Sequence, residues 1–159
     1  MDSCDAIFSH RDRDTRLAIL SDPHAGSFAV MGCVVILLAK TLLFAEMLTM
    51  NINPSLVPIY SRFGMAVLLN NLPFAKTGGL AVMLGSSRSQ KHNIFFTVMM
   101  IMLLFVSPVA QVTAFVMSML LWGKMCLQIF GGITGDLLGA FVELSEVFML
   151  TCMVIGECI

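Results

Sequence analysis

Two aspartates near the beginning of the sequence are the first residues that could do chemistry. Asp2 and Asp5 are three positions apart, so on a helix their carboxylates lie on the same side. Carboxylate oxygens in such an arrangement can hold a hard cation. A pair of this kind is also common in a solvated chain end, and the sequence leaves both interpretations open.

A glycine-rich segment is the second candidate. It leads directly into a long apolar run and consists of Gly131, Gly132, Ile133, Thr134, Gly135 and Asp136. Backbone N–H groups at the start of a helix can receive a phosphate, which makes this segment a candidate anion site. It is not a Walker A loop, because no Lys precedes a Ser or Thr at the required spacing. The competing interpretation is an ordinary helix start capped by Thr or Asp.

Acidic residues continue along the same apolar run. On a helix, Asp136, Glu143 and Glu146 fall within about 80° of one face. Gly139 shares that face and would let a ligand or another helix approach closely. The pattern predicts an acidic stripe that runs inward from one end of the helix. The alternative is a packing seam of small residues with Asp136 as the helix cap.

Charged residues inside apolar runs are the third signal. Lys40, Arg62, Glu143 and Glu146 all interrupt such runs. An unpaired charge at the centre of a bilayer costs about 3 kcal/mol, so such residues face a protein interior or a wet cavity. They either serve function or pair with one another to fix helix packing.

The elements that must position these residues are membrane helices. Hydrophobic residues make up 58% of the 159 residues, mean hydropathy is +0.91, and only 12% are charged. Apolar runs of about 20 residues match a bilayer core, whereas a barrel would show short alternating segments. We therefore predict one all-α transmembrane domain over residues 1–159, a polytopic bundle of about five membrane helices. The predicted helices are 28–50, 56–75, 94–108, 109–130 and 136–156.

The distribution of basic residues predicts the orientation. Residues 1–27, a cytoplasmic or interfacial segment with a short amphipathic helix, hold three arginines before the first span, and the polar loop 76–93 holds Lys76, Arg88 and Lys91. The positive-inside rule places both in the cytoplasm. If residues 94–130 cross twice, with a break at Pro108, the glycine-rich segment returns to the side of Asp2 and Asp5. If they cross once, the membrane separates these residues.

Several other function classes are disfavoured. The net charge is −1 and most of the nine Lys and Arg lie at run ends rather than in a binding stripe, so we expect no nucleic-acid partner. The five cysteines lack metal-site spacing and the three histidines are isolated, which argues against a zinc site or a disulfide framework. The charged first 27 residues do not match a secretory signal peptide, so insertion is expected to depend on the internal helices.

Four blocks, spread over nearly the whole chain, carry a resemblance to a known family. They are RDRDTRLAILSD at residues 11–22 with Gly26, LPFAKTGGL at 72–80 with Arg62, GGITGDLLGA at 131–140 with Glu143 and Glu146, and Asp2, Ser3 and Asp5. Together they resemble cobalamin synthase, the adenosylcobinamide-GDP ribazoletransferase family of bacterial vitamin B12 assembly. The third block is the most specific.

The sequence also departs from this family. Phe74 and Lys76 stand where the family tends to have Tyr and Arg, and Ala6 stands where Gly is expected. The family has an aspartate-rich run of the form DGxADTxDG, of which Asp2 and Asp5 match the second half. We therefore expect this chain to be the carboxyl-terminal portion of a longer family domain.

The resemblance implies an activity, a cofactor and a set of sites. The family joins adenosylcobinamide-GDP to α-ribazole, or its 5′-phosphate, with release of GMP and dependence on Mg²⁺. It implies an active site that faces the cytoplasm from the bacterial inner membrane. Carried onto this sequence, the catalytic metal ligands are Asp2, Asp5 and Asp136. The implied substrate and phosphate contacts are Lys40, Arg62, Lys76, Gly131, Gly132, Thr134, Gly135, Glu143 and Glu146.

Three alternatives remain at this stage. A CDP-alcohol phosphotransferase also holds metal with aspartates on membrane helices, but its motif contains AR and more carboxylates than Asp2 and Asp5 provide. A small transporter subunit would line a path with Lys40, Arg62, Glu143 and Glu146, although no paired half-helices support it. The third alternative is an inactive fragment.

Overall fold

The computed structural model describes residues 2–22, 24–78, 80–85, 89–106 and 109–158. The predicted break at Pro108 and the basic residue Arg88 lie outside these ranges. The described residues form eight helices, which confirms the all-α prediction. The helices are α1 (Asp2–Phe8), α2 (Arg13–Ile19), α3 (Ser27–Thr49), α4 (Val57–Asn71), α5 (Leu80–Gly85), α6 (Gln90–Val106), α7 (Val109–Phe130) and α8 (Gly135–Cys158).

Three of these helices contain a stretch long and apolar enough to cross a membrane. Among the described residues these stretches are Ser27–Thr49, Gln111–Phe130 and Gly135–Gly156. Only 6% of the most apolar part of α3 is buried, so its surface is suited to lipid on most sides. With 15 and 17 residues, α4 and α6 are shorter than the roughly 20 residues of a typical span. The count of five membrane helices therefore stays a prediction.

Helix α8 lies at the centre of the bundle, where it packs against α3, α4 and α7. Leu137, Phe141 and Met149 of α8 are fully buried in the core. Gly64 lets α4 approach closely, because a Cβ there would lie 2.8 Å from the rings of Phe115 and Phe141. The packing of these buried residues consequently determines which neighbouring helices the acidic side chains of α8 face.

Two short helices cover one end of the bundle. Helix α1 packs against α2, α3 and α8. The Asp12 side chain caps α2, where it accepts hydrogen bonds from the Thr15 hydroxyl at 2.7 Å and the Thr15 amide at 3.3 Å. These two bonds lower the pKa of Asp12 below its usual value, because they favour the charged carboxylate.

A short backbone pairing holds the start of α8 against the segment after α4. The Ile133 amide donates to the Pro73 carbonyl at 2.8 Å, and the Ala75 amide donates to the Ile133 carbonyl at 2.9 Å. Gly132 is required for this approach, since a Cβ there would lie 2.5 Å from the Pro73 oxygen. The pairing brings the second and third blocks of the resemblance together.

Candidate functional site

Asp2 and Asp136 line one cavity although they lie near opposite ends of the chain. This acidic cavity has a volume of about 510 Å³ and lies between α1, α3, α7 and α8. Glu143 and Gly139 continue its wall along α8. The structure thus places Asp136 and Glu143 of the predicted acidic stripe on the same side as the first aspartate, whereas Glu146 does not line this cavity.

The carboxylates of Asp2 and Asp136 have no partner among the residues that the structure describes. Among the described residues, neither carboxylate takes part in a hydrogen bond or ion pair. The cap of α8 is Thr134, whose hydroxyl accepts from the Leu137 amide at 3.3 Å. Because Thr134 performs this task, the Asp136 carboxylate is available for a ligand.

A second cavity lies on the other side of the α8 start. This lysine cavity has a volume of about 500 Å³, and its lining includes Lys76, Gly78, Thr134, Gly135 and Asp136. The Lys76 ammonium donates to the Ser21 hydroxyl, which fixes the side chain at the cavity. Gly135 and Asp136 line both cavities, so the first turn of α8 is where the two spaces meet.

The glycine-rich segment differs in detail from the predicted phosphate site. The Gly131 and Gly132 amides already donate to the Leu127 and Cys126 carbonyls at the end of α7. Within the part of the chain that the structure describes, the amides of Gly135 and Asp136 have no partner. The backbone donors that remain for an anion therefore lie at the start of α8 rather than in the glycine pair before it.

Asp5 has a role that the sequence did not predict. Its carboxylate accepts from the Gly26 amide at 2.8 Å and from the Ala29 amide at 3.0 Å. It therefore caps α3 and ties α1 to it. A carboxylate has about four lone-pair sites, so these bonds do not use all of its capacity. Asp5 is not among the residues that line the acidic cavity.

The four charges within apolar runs form one network across three helices. Lys40 of α3 donates to Glu143 at 2.6 Å and to Glu146 at 2.7 Å, both on α8. Arg62 of α4 donates to Glu146 at 2.7 Å, and the Ser61 hydroxyl reaches the same carboxylate oxygen at 2.8 Å. The structure thus shows the pairing that the packing interpretation requires.

This network lies apart from most of the predicted phosphate contacts. Arg62 and Glu146 line neither the acidic cavity nor the lysine cavity. Glu143 belongs to both the network and the acidic cavity. Lys76 is the predicted cation that the structure places beside Asp136.

The described residues suit a magnesium ion that keeps several of its water ligands. No group of three or more His, Cys, Asp or Glu side chains in these ranges is arranged to hold a metal. However, Mg²⁺ usually keeps several waters and binds through one or two carboxylates plus substrate phosphates. The free carboxylates of Asp2 and Asp136 match that requirement, with Ser3 lining the same cavity.

Sequence reasoning missed the positions of three residues at this site. The Ser3 hydroxyl donates to the Asp136 carbonyl at 3.3 Å. The Arg13 guanidinium lies against Gly131, where a Cβ would come within 2.5 Å of it. Trp122 lines the acidic cavity and donates to the Leu137 carbonyl at 3.0 Å. Ser3 and Arg13 stand in blocks of the resemblance, whereas Trp122 gave only the signal of being the single tryptophan.

A family model described as cobalamin-5-phosphate synthase matches residues 1–154. The chain belongs to this family. The match includes both aspartates of the acidic cavity and the lysine of the neighbouring one. Cobalamin-5-phosphate synthase membership thus confirms the resemblance found in the four sequence blocks.

Curated relatives of the cobalamin-5-phosphate synthase family agree. An adenosylcobinamide-GDP ribazoletransferase from Geobacillus kaustophilus is 36% identical over 162 residues, which cover 92% of this chain and 61% of the relative. Enzymes of the same name from Desulfitobacterium hafniense and Chlorobium phaeobacteroides are 31% and 29% identical, and the matches cover 63% and 64% of their lengths. The chain therefore spans a little over three fifths of these relatives. No solved structure matches it significantly.

Proposed function

We propose that this protein takes part in adenosylcobinamide-GDP ribazole transfer at the bacterial inner membrane, with its active site facing the cytoplasm. The relatives carry the name of that activity. The observation that carries the proposal is the pair of unpartnered carboxylates, Asp2 and Asp136, which line one cavity beside the start of α8. Two free carboxylates next to a lysine and unpaired amides suit a reaction of a pyrophosphate.

The reaction is a phosphoryl-group transfer. A hydroxyl of α-ribazole, or of its 5′-phosphate, attacks the phosphorus next to cobinamide. A new O–P bond forms, the P–O bond to GMP breaks, GMP leaves with the bonding pair, and the hydroxyl proton passes to solvent. Such a transfer depends on positioning and charge neutralisation more than on covalent chemistry.

The residues of the two cavities divide this work. Lys76 and the amides of Gly135 and Asp136 stabilise the pyrophosphate charge. Asp2 and Asp136 would hold Mg²⁺, which supplies Lewis-acid stabilisation to phosphoryl oxygens. Asp5 acts as a positioning residue, because its bonds to Gly26 and Ala29 hold α1, and with it Asp2, against α3.

The remaining predicted contacts shape the site. Gly131 and Gly132 allow the turn that brings the α8 start to the Pro73 segment, and Thr134 caps the helix. Lys40, Arg62 and Glu146 fix the rotation of α8 through their ion pairs. Glu143 connects that network to the wall of the acidic cavity.

Asp136→Asn tests the proposal most directly. The change keeps the size of the side chain and removes its negative charge, so it should reduce GMP release by about 100-fold or more, as for loss of one transition-state-stabilising group. The measurement is GMP release from adenosylcobinamide-GDP and α-ribazole by membranes that contain the chain, with Mg²⁺ and after its removal by chelation.

Asp14→Asn is the matched control. Asp14 is exposed on α2 and lines neither cavity, so the same chemical change there should leave turnover within about twofold, as expected of a surface substitution. Near-normal turnover of Asp136→Asn, or equal loss in both variants, would contradict the proposed role of Asp136. Absence of GMP release by the unsubstituted chain would contradict the activity itself.

A further inference from the structure

We propose that the two cavities divide the two substrates between them: the acidic cavity holds the aromatic base of the acceptor nucleoside, and the lysine cavity holds the pyrophosphate of the donor. This inference rests on the proposed function and assigns a place to each substrate. The juxtaposition that supports it is two cavities of similar volume that share Gly135 and Asp136 but differ in charge.

The acidic cavity offers an apolar chamber to a flat, uncharged ring. Beyond Asp136 its wall includes Ile36, Leu37, Trp122, Ala140 and Leu144. At about 510 Å³ it falls within the usual range of small-molecule sites, about 300–1,000 Å³. Such sites bury an apolar body in hydrophobic and aromatic side chains, while a few polar groups fix its orientation.

Charge decides which substrate part each cavity accepts. Asp2, Asp136 and Glu143 line the acidic cavity, and its lining includes no Lys or Arg among the residues that the structure describes. The described wall of the acidic cavity offers a pyrophosphate no protein cation, and the Mg²⁺ that would stabilise phosphoryl oxygens would be held in part by Asp136, which lines both cavities. The lysine cavity has Lys76 and the start of α8 instead. Complementarity therefore places the anion on the lysine side and the neutral base on the acidic side.

The shared wall brings the reacting groups together. With the base in one cavity and the pyrophosphate in the other, the ribose hydroxyl and the phosphorus both approach Gly135 and Asp136. Holding two reactants in attack geometry supplies much of the rate enhancement in bimolecular reactions. The first turn of α8 would thus contact both substrates, because it lines both cavities.

Trp122 provides a readout that does not depend on turnover. It is the single tryptophan of the chain and lines the acidic cavity but not the lysine cavity. Its indole is fixed by the hydrogen bond to the Leu137 carbonyl at 3.0 Å. Trp122 also lines a third cavity of about 310 Å³ between α7 and α8, to which Gly139 does not contribute. A change in intrinsic tryptophan fluorescence of the full chain in nanodiscs is therefore assigned to the acidic cavity when Gly139→Leu weakens it.

Two glycines provide a matched pair of cavity-filling variants. Gly139 lines the acidic cavity and Gly78 lines the lysine cavity, and a Cβ at either position meets no atom within 4 Å. Gly139→Leu should weaken α-ribazole binding at least tenfold and leave GDP binding unchanged. Gly78→Leu should weaken GDP binding at least tenfold and leave α-ribazole binding unchanged. Gly139→Ala should bind α-ribazole nearly as well as the unsubstituted chain, and Ala140→Leu repeats the test if Gly139→Leu does not insert.

The experiment titrates each protein with α-ribazole and with GDP, measuring binding by equilibrium dialysis and Trp122 emission in parallel. We expect α-ribazole to change the emission saturably and GDP to leave it unchanged. The cavity assignment is overturned if α-ribazole binds without changing the emission, or if Gly78→Leu rather than Gly139→Leu weakens its binding. If either result is found in a chain that does release GMP, the proposed function stands and only the cavity assignment is overturned. Binding of α-ribazole as expected without GMP release would overturn the proposed function. Absence of α-ribazole binding would overturn both the proposed function and the cavity assignment.

Discussion

Helix α8 carries two groups of carboxylates that are arranged in opposite ways. At its start, Asp136 shares a cavity with Asp2, and neither carboxylate has a protein partner among the described residues. Further along, Glu146 accepts hydrogen bonds from Lys40, Ser61 and Arg62. The same residue class therefore serves packing where its charge is neutralised by neighbouring helices, and is available for a ligand where it is not.

The largest effect on stability is expected from Lys40→Met. This change removes the cation between Glu143 and Glu146 and leaves Glu146, whose side chain is 12% exposed, with Arg62 as its remaining cationic partner. Breaking a buried pair from one side costs about 3–5 kcal/mol, and we expect about 3 kcal/mol here. Unfolding in mixed micelles with increasing SDS, followed by circular dichroism, measures it.

Lys124→Met is the control for that variant. Lys124 is exposed on α7, and its loss should change the free energy of unfolding by less than about 0.5 kcal/mol. Equal destabilisation by both variants would show that the network does not hold the helices together.

A smaller difference should separate the two glutamates. Glu146→Gln disturbs bonds to three donors, whereas Glu143→Gln disturbs one and its side chain is 51% exposed. We expect Glu146→Gln to be the more destabilising by about 1 kcal/mol, as for hydrogen bonds within membrane proteins. The SDS titration compares the two variants, and the opposite order would contradict the central position of Glu146.

Removing the free carboxylate should have little effect on stability. Asp136→Asn breaks no hydrogen bond or ion pair of the described residues, so we expect the free energy of unfolding to stay within about 0.5 kcal/mol, even though GMP release falls. If this variant were as unstable as Glu146→Gln, the contrast between the start and the middle of α8 would be lost.

The smallest effect concerns Asp12 at the aqueous end. Hydrogen bonds from Thr15 lower the pKa of Asp12 in the folded state, so the stabilisation of α2 is present above the ordinary Asp pKa. It is lost as the pH falls through the lowered value. Amide hydrogen exchange in α2, corrected for intrinsic rates, should increase at acidic pH in the native chain. Asp12→Asn should show a smaller pH dependence, and an equal one would exclude the cap as its cause.

The features predicted correctly from sequence are those with local or composition-level causes. Long apolar runs predicted the long helices, because a run of that length and hydropathy has few other structures available. The glycine-rich segment before Asp136 correctly marked the start of α8, because Thr134 and the glycines have strong local conformational preferences. Helical periodicity placed Asp136 and Glu143 on one face, and both line the acidic cavity.

The features that could not be predicted depend on how the helices rotate and pack. Nothing in the sequence separates Lys40 as a partner of Glu146 from Lys40 as an anion contact, since both uses place a cation in an apolar run. The capping of α3 by Asp5 joins two helices that α2 separates in the sequence. Trp122 reaches the acidic cavity only because α7 and α8 pack with that face inward. Each of these contacts is a tertiary property.

The contact between the Ser3 hydroxyl and the Asp136 carbonyl joins segments that are 133 residues apart. A ribosome adds residues in order, so helices α1 to α7 are synthesised before the first turn of α8 exists. The acidic cavity therefore cannot form before the first turn of α8 has been synthesised. A nascent chain that stalls before α8 would lack Asp136 and, with it, the wall that the acidic and lysine cavities share.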